Sequence, residues 1–253
     1  MKILLLGGTG HTGERLARRL LAERHELRVL SRRDPAEDKV LGALTQLGAV
    51  HAPGDAGRRW TLFEAAGGCD ALISCAHIRY ADACVAACEM LGVRRYIQMS
   101  STRRFTQFPC KSQEEVIAGE EVIEASDLDY TILRPTMIFG GRRDANLTRL
   151  VEWFQKRKWF PVFGDGKNLV QPVFVEDLLD AIIEALHRPE ASTRRTFTIA
   201  GPEPITYRAM IEEIARACGV EKPKLVQIPL GLALAGAKLT PPFLRRGITP
   251  EQI

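Results

Sequence analysis

The stretch that most constrains the fold is KILLLGGTGHTGERLARRLL, residues 2–21. A continuous apolar run reads as a buried strand. Gly7, Gly8, Gly10 and Gly13 follow, and then an amphipathic helix with Leu16, Leu20 and Leu21 on one face. Gly7, Gly10 and Gly13 spell G-x-x-G-x-x-G, while Gly8, Gly10 and Gly13 spell G-x-G-x-x-G. A tight strand-to-helix turn needs positive φ, a pyrophosphate needs the backbone close, and the helix must pack tightly on the strand. The N–H groups and partial positive charge at the helix start suit phosphate oxygens. The loop therefore implies a dinucleotide held by Gly7, Gly10, His11, Thr12 and Gly13. A turn with a purely structural role is the alternative.

Strand-like and helical stretches then alternate. Strands are expected at 26–31, 49–55, 70–76, 95–101 and 130–135, and helices at 12–23, 36–47, 81–91 and 113–125. Apolar, β-branched runs of this kind call for a parallel sheet covered on both faces. Beyond residue 140 the pattern loosens. It runs through an aromatic and basic helix at 145–158, a Gly-rich turn, strand and helix across 160–186, a strand at 195–201 and a helix at 206–219 that stops on Gly219. The expected fold is α/β, a doubly wound parallel Rossmann sheet with a small, discontinuous C-terminal substrate lobe. Residues 1–140 plus about 170–200 form the NADP(H)-binding domain, and 141–169 plus 201–253 the lobe. The closing TPEQI reads as a helix start.

Composition fits this class: 253 residues, 45% hydrophobic and 26% charged. The apolar run at 3–6 is too short for a secretory segment, and 228–239 is too short and too Gly-broken to cross a bilayer. No membrane association and a cytoplasmic location are expected. The six cysteines include no Cys-x-x-Cys pair, so they are expected to be reduced packing thiols, with no metal site. The net charge of +4 is scattered in doublets at Arg32-Arg33, Arg103-Arg104, Arg142-Arg143, Arg194-Arg195 and Arg245-Arg246. No nucleic-acid motif accompanies them, and they read mostly as solvated surface.

In open α/β sheets, ligands sit beyond the carboxyl ends of the strands. After the second strand comes Ser31-Arg32-Arg33, where an NAD site would carry an acidic residue for the ribose 2′-OH. A hydroxyl and two guanidinium forks suit a 2′-phosphate, so NADP(H) is expected in preference to NAD(H), with Asp34 turned away. Asp55 follows the third strand and is placed to contact adenine. Ala76 follows the fourth and lets the cofactor lie close. His77 beside it is either an acid/base group or an exposed loop residue.

GGTGHTG, Ser31-Arg32-Arg33, Gly54-Asp55, Ser100-Ser101-Thr102, LDYTILRPTMIFG and PVFGDGKNLVQPVFVEDLLDAI together resemble the extended and atypical short-chain dehydrogenase/reductase superfamily. The last two segments resemble those of its nucleotide-sugar epimerase/dehydratase branch. That branch's relatives include an accessory subunit of respiratory complex I and nitrogen-repression-type redox sensors. The resemblance implies a Tyr that moves a proton, a Lys four residues on that lowers its pKa, and a Ser or Thr that orients the carbonyl. This chain has no Tyr-x-x-x-Lys: Tyr80, Tyr96, Tyr130 and Tyr207 are followed four residues later by Cys84, Ser100, Arg134 and Ile211. Aligned on Gly119-Glu120-Glu121, the Tyr position falls at Ser112 and the Lys position at Val116.

Ser100 and Ser101 remain at the strand end as catalytic candidates, with Thr102 beside them. His77, Lys111 and Tyr80 are the candidate replacements for the missing acid. Lys111 either reaches the ribose from a loop or is a solvated residue before a helix capped by Ser112 and Glu115. Arg134, Lys167 and Gln171 are the substrate candidates, Arg134 leaving the sheet toward the lobe, and Asp177 is a helix-start charge. The favoured expectation is an NADP(H)-dependent oxidoreductase or epimerase/dehydratase-like enzyme acting on a nucleotide sugar or small carbonyl in an inter-lobe cleft. A non-catalytic NADP(H) redox sensor and a structural dinucleotide-binding subunit are the alternatives. A homodimer or a protein partner stays open.

Overall fold

The N-terminal apolar run forms β1 (Lys2–Leu6), whose last four residues are buried because helices cover both faces of its sheet. The computed structural model describes residues 1–107, 110–141, 143–144, 147–229 and 231. After β1 come α1 (His11–Ala22), β2 (Glu26–Ser31), α2 (Lys39–Gln46), β3 (Val50–Pro53), α3 (Arg59–Ala66), β4 (Ala71–Ser74), α4 (Ala81–Leu91), β5 (Arg95–Met99), α5 (Lys111–Glu124) and β6 (Asp129–Pro135). There follow β7 (Ile138–Phe139), α6 (Thr148–Phe154), β8 (Trp159–Phe163), β9 (Leu169–Val170), β10 (Val173–Phe174), α7 (Val175–His187), α8 (Pro189–Ser192), β11 (Arg195–Ile199), β12 (Ile205–Thr206), α9 (Tyr207–Ala217) and β13 (Lys224–Ile228).

Seven strands form one parallel sheet in the order β11-β6-β5-β4-β1-β2-β3. The chain winds outward from β1 through β2 to β3, then returns to the other side of β1 at β4. Leu6 of β1 stands in register with Ser74 of β4 at this switch point, and the crevice beyond the two strand ends is where such sheets take ligands. At the opposite end Arg95 is buried, and among the described residues no carboxylate pairs with it. Its Nη2 donates to Thr131 Oγ1 (2.8 Å), the Ala185 carbonyl (2.6 Å) and Ser192 Oγ (2.9 Å), tying β5 and β6 to α7 and α8. Burial holds this guanidinium below its usual pKa, against the pull of Asp129.

The chain separates into two compact units. One comprises Met1–Thr136 and Val175–Ile199; the other comprises Met137–Phe174 and the chain from Ala200 onward. The second unit has its own core of Phe154, Met210, Ile211, Ala215 and Val220. Its strands pair β7 with β10, β9 with β12, and β8 with β13. The sequence left residues 224–228 unassigned, and they form β13, in parallel register with β8 from Lys224↔Trp159 to Ile228↔Phe163. Gly219, at φ 81°, ends α9 as expected.

Several local expectations need correction. Helix α3 is not among the helices expected from the sequence. It buries Thr61, Leu62, Ala65 and Ala66, but exposed Trp60 on its other side blurs the apolar stripe. Helix α2 starts at Lys39 rather than 36, because Asp34 first takes the Ala36 amide (2.8 Å) in its own turn and Asp38 then caps Val40 and Leu41. Ser112 is not a cap: α5 begins at Lys111 with Cys110 as N-cap, whose carbonyl accepts from the Gln113 and Glu114 amides. The helix expected at 145–158 is α6, Thr148–Phe154. Ala145, Arg142, Arg245-Arg246 and TPEQI lie outside the described residues. The six cysteines are free thiols, three of them buried.

Candidate functional site

The glycine loop is backbone packed on backbone. Gly7 has φ 74°, and a Cβ there would lie 2.9 Å from the Ala76 nitrogen, so the ends of β1 and β4 touch. A Cβ on Gly13 would lie 2.1 Å from the Gly7 oxygen, which fixes α1 hard against the loop. Gly10 stays exposed in extended backbone, donates its amide to the Gly7 carbonyl (2.9 Å) and, as N-cap, supplies no side-chain bond. Gly7, Gly10, His11, Thr12 and Gly13 thus come together as a backbone-lined cradle at the start of α1. Backbone donors at a helix N-terminus, with no side chain in the way, fit a dinucleotide pyrophosphate.

At the end of β2, Ser31 is buried and its Oγ accepts from the Arg33 amide (3.1 Å). The Arg32 and Arg33 side chains are 77% and 75% exposed. Arg32 Nη1 stands 3.6 Å from Asp55 Oδ2, and Arg33 Nη1 donates to Asp38 Oδ2 at 3.0 Å. Burial raises the Asp38 carboxyl, but the Leu41 amide, Arg33 and the Val40 amide together hold it below the usual carboxylate range. Two outward guanidiniums therefore flank Ser31, each steadied by a carboxylate. Asp34 is exposed and occupied by its own turn.

Between the ends of β4 and β5 lies a recess of about 280 Å³, lined by Cys75, Ala76, His77, Ser100, Ser101 and Val116 among others. Val116, at the position the resemblance gives to Lys, is buried and brings no charge. Burial pushes the Cys75 thiol up to about 12, so it stays protonated. His77 Nδ1 accepts the Arg79 amide (3.2 Å), which leaves the proton of the neutral ring on Nε2. Nε2 lies 3.7 Å from Glu115 Oε2, too long for a hydrogen bond but close enough for charge to act. Burial lowers the His77 pKa, Glu115 opposes this, and Arg79 and Arg103 add to the lowering, so the ring is held below its usual value.

By sequence alone Glu115 is only a capping partner. Its position follows from Gly119, one helical turn on, where a Cβ would lie 2.7 Å from the Ile78 oxygen and which therefore presses α5 onto the turn after β4. The i, i+4 spacing to Gly119 is the signal that would have placed Glu115 against that turn. Lys111 is not brought into the recess. It opens α5 rather than sitting in a loop, is 87% exposed, and lies 3.9 Å from Glu115. Tyr80 receives Arg79 Nη2 on its hydroxyl at 2.9 Å.

Beneath the recess, Glu120 of α5 is fully buried and accepts four bonds. Ser100 Oγ (2.5 Å) and Arg134 Nε (2.8 Å) reach Oε1; Arg134 Nη2 (2.7 Å) and Arg104 Nη1 (2.6 Å) reach Oε2. Burial raises the Glu120 carboxyl, but Arg134, Ser100 and Arg104 outweigh it and hold the pKa below the ordinary range. Because Ser100 donates inward, it can offer only lone pairs to the recess. Ser101 Oγ accepts from the Arg103 amide (3.2 Å).

Arg134 is a correction: it lies within β6, and its fork engages Glu120 instead of leaving the sheet toward a ligand. Arg104, expected as solvated surface, belongs to the same cluster. In the second unit, Lys167 is exposed on the turn after β8, while Gln171 Nε2 donates to the Gly201 carbonyl (2.6 Å) and so holds its own unit together.

A glycine cradle at the switch point of a parallel sheet, with a recess at the neighbouring strand ends, is the architecture of a nucleotide-binding protein. The chain belongs to the NAD(P)H-binding family, whose model matches residues 7–152, within the extended short-chain dehydrogenase/reductase superfamily. The 3-beta hydroxysteroid dehydrogenase/isomerase family matches residues 124–230. The chain is 33% identical over 147 residues to NADH dehydrogenase [ubiquinone] 1 alpha subcomplex subunit 9, mitochondrial, of Arabidopsis thaliana, across 58% of this chain and 36% of that protein. It thus spans about a third of the plant subunit's length. A 25% identical match with the 2-alkyl-3-oxoalkanoate reductase of Stenotrophomonas maltophilia (strain K279a) covers 88% of this chain and 77% of the reductase. The UDP-glucuronic acid 4-epimerase of Bacillus cereus, solved in complex with NAD, shares the fold with a TM-score of 0.76 at 17% identity, covering 90% of this chain and 88% of that one. No helix among the described residues is long and apolar enough to cross a membrane.

Proposed function

We propose that the protein is a slow NADP(H)-dependent reductase of a small carbonyl compound, free or carried on a nucleotide sugar, in which His77 and Glu115 replace the missing Tyr–Lys pair. One observation carries this reading. Of the polar side chains around the recess, Ser100 already gives its proton to Glu120, and Ser101, whose Oγ accepts a backbone amide, keeps only a weakly acidic hydroxyl, so His77 is the group there whose ionisation lies nearest neutral pH. When bound, the dinucleotide supplies a hydride to the carbonyl carbon. His77, charged as the imidazolium, would give its Nε2 proton to the carbonyl oxygen and be left as the neutral ring, and the product is an alcohol. Glu115, 3.7 Å away, stabilises the charged ring when His77 regains a proton from water.

Gly7, Gly10, His11, Thr12 and Gly13 hold the pyrophosphate, Ser31, Arg32 and Arg33 take the 2′-phosphate, and Asp55 and Ala76 flank the rest of the cofactor. A neutral imidazole is a weak acid, so turnover at neutral pH is expected to be slow and to rise on acidification. Stopped-flow oxidation of bound NADPH against quinones, small aldehydes and nucleotide sugars tests the proposal. Oxidation that disappears in His77→Ala with NADPH still bound supports it.

A second reading has its own support. Val116 puts an apolar side chain where proton transfer calls for an amine, as suits a non-catalytic NADP(H) sensor or structural subunit. Tight NADPH retention with no oxidation by any substrate would select it.

A further inference from the structure

Where α1 ends, the chain turns through Arg24, a non-glycine residue at φ 63°, so that Glu23 and His25 face the same side. His187, the last residue of α7, meets them there. Glu23 Oε2 is 3.3 Å from His25 Nε2 and 3.0 Å from His187 Nε2, and the three ligand atoms all lie within 4.8 Å of one another. We infer that Glu23, His25 and His187 form a site for a divalent transition-metal cation.

The geometry suits the chemistry. Around tetrahedral zinc, with bonds of about 2.0–2.2 Å to nitrogen and oxygen, neighbouring ligand atoms stand roughly 3.3 Å apart. Two edges of this triangle, at 3.3 Å and 3.0 Å, are close to that length, and the third is no longer than 4.8 Å. The imidazole rings are 6.3 Å apart and tilted, so stacking does not hold them together. The Met1 nitrogen lies 3.4 Å from the other ring nitrogen of His25 and supports that ring from its far side.

The surroundings fix the triangle. Arg15 Nε lies 3.3 Å from Glu176 Oε1, Arg19 Nη2 lies 2.6 Å from Glu176 Oε2, and Arg19 also pairs with Asp180. These ion pairs lock the helical phase of α1 against α7, so that Glu23 and His187 meet at the ends of both helices. Two imidazoles and one carboxylate suit zinc, cobalt or nickel, whereas calcium and magnesium take oxygen ligands throughout. This departs from the absence of a metal expected from the cysteine spacing.

The site lies at the amino ends of the parallel strands, and the glycine loop and the recess at their carboxyl ends. Its role is therefore structural. It would fasten α7, which follows the inserted segment, to the first turn-and-strand of the chain.

The test uses tag-free protein. Calorimetry with Zn²⁺ should find one site per chain, and affinity should fall at least ten-fold in His187→Ala and in Glu23→Gln. Both residues are partly exposed, and circular dichroism of the metal-free variants should match the parent, which separates loss of a ligand from loss of fold. Co²⁺ should give visible d–d absorption without a thiolate charge-transfer band, and this should survive Cys110→Ser and Cys218→Ser. Equal Zn²⁺ affinity in parent and variants, a thiolate band, or no binding at all would each overturn the site and leave a His–Glu–His hydrogen-bond cluster.

Discussion

Arg134 and Glu120 meet fork to fork, Nε 2.8 Å from Oε1 and Nη2 2.7 Å from Oε2, with the carboxylate fully buried. Removing one partner of such a pair leaves uncompensated charge in the core. Glu120→Gln is therefore expected to cost about 3–5 kcal/mol, read by urea unfolding. A loss below about 1 kcal/mol would mean that the cluster is not a structural clasp.

The same carboxylate gives a pH dependence. Its folded pKa lies below its unfolded value of about 4.3, so its contribution is fully present above that value and is lost as pH falls through the lower folded pKa. Acid unfolding of the parent should steepen below about pH 4, and Glu120→Gln should flatten that limb. Parallel acid limbs in the two proteins would reject this assignment.

Arg32→Ala with Arg33→Ala should erase an expected ten-fold preference for NADPH over NADH, a difference of about 1.4 kcal/mol, while NADH binding changes little. Fluorescence titration reads both affinities. Because Arg33 is already bonded to Asp38, the single change at Arg32 should account for most of the effect. Equal affinities for the two cofactors in the parent would refute the 2′-phosphate assignment.

The two glycines of the loop should fail differently. Gly10→Val adds its side chain on the exposed side, meeting only the Gly7 oxygen at 3.2 Å, and should abolish dinucleotide binding with unfolding unchanged. Gly13→Ala drives a methyl to 2.1 Å from the Gly7 oxygen and should lower the thermal midpoint as well. Unchanged NADPH affinity in Gly10→Val would make the loop a turn and nothing more.

His77→Ala should remove most of the residual reductase rate, Glu115→Gln should slow it and alter its pH profile, and Lys111→Ala should leave it alone. Because the folded His77 pKa is lowered, the rate should climb only below about pH 6.5, without a tyrosine-type ionisation above 9. A pH-independent rate, or a large effect at Lys111, would misplace the acid.

The sheet was legible because its signal is local: β2 and α4 have the bounds that periodicity gives, and Gly7 and Gly13 carry their geometric reasons in the spacing. What escaped depends on distant partners. Ser112 and Glu115 spell a capping box, but Cys110 caps α5 and the close packing at Gly119 turns Glu115 toward His77. Arg134 and Arg104 look like surface or ligand groups until Glu120, on a different element, is found between them. Helix α3 hides because exposed Trp60 interrupts its apolar face.

Strand β11 joins the sheet beside β6, yet the whole of Met137–Phe174 and α7 separates the two in the chain. During synthesis β6 is consequently an open edge until Arg195–Ile199 has left the ribosome, and until Ala185 and Ser192 emerge shortly before it Arg95 also lacks their carbonyl and hydroxyl acceptors. An unpaired, apolar edge beside a half-solvated cation is a template for pairing with another nascent chain. Chains truncated before Arg195 should accumulate in chaperone complexes or as aggregates, even though every glycine of the loop is already in place.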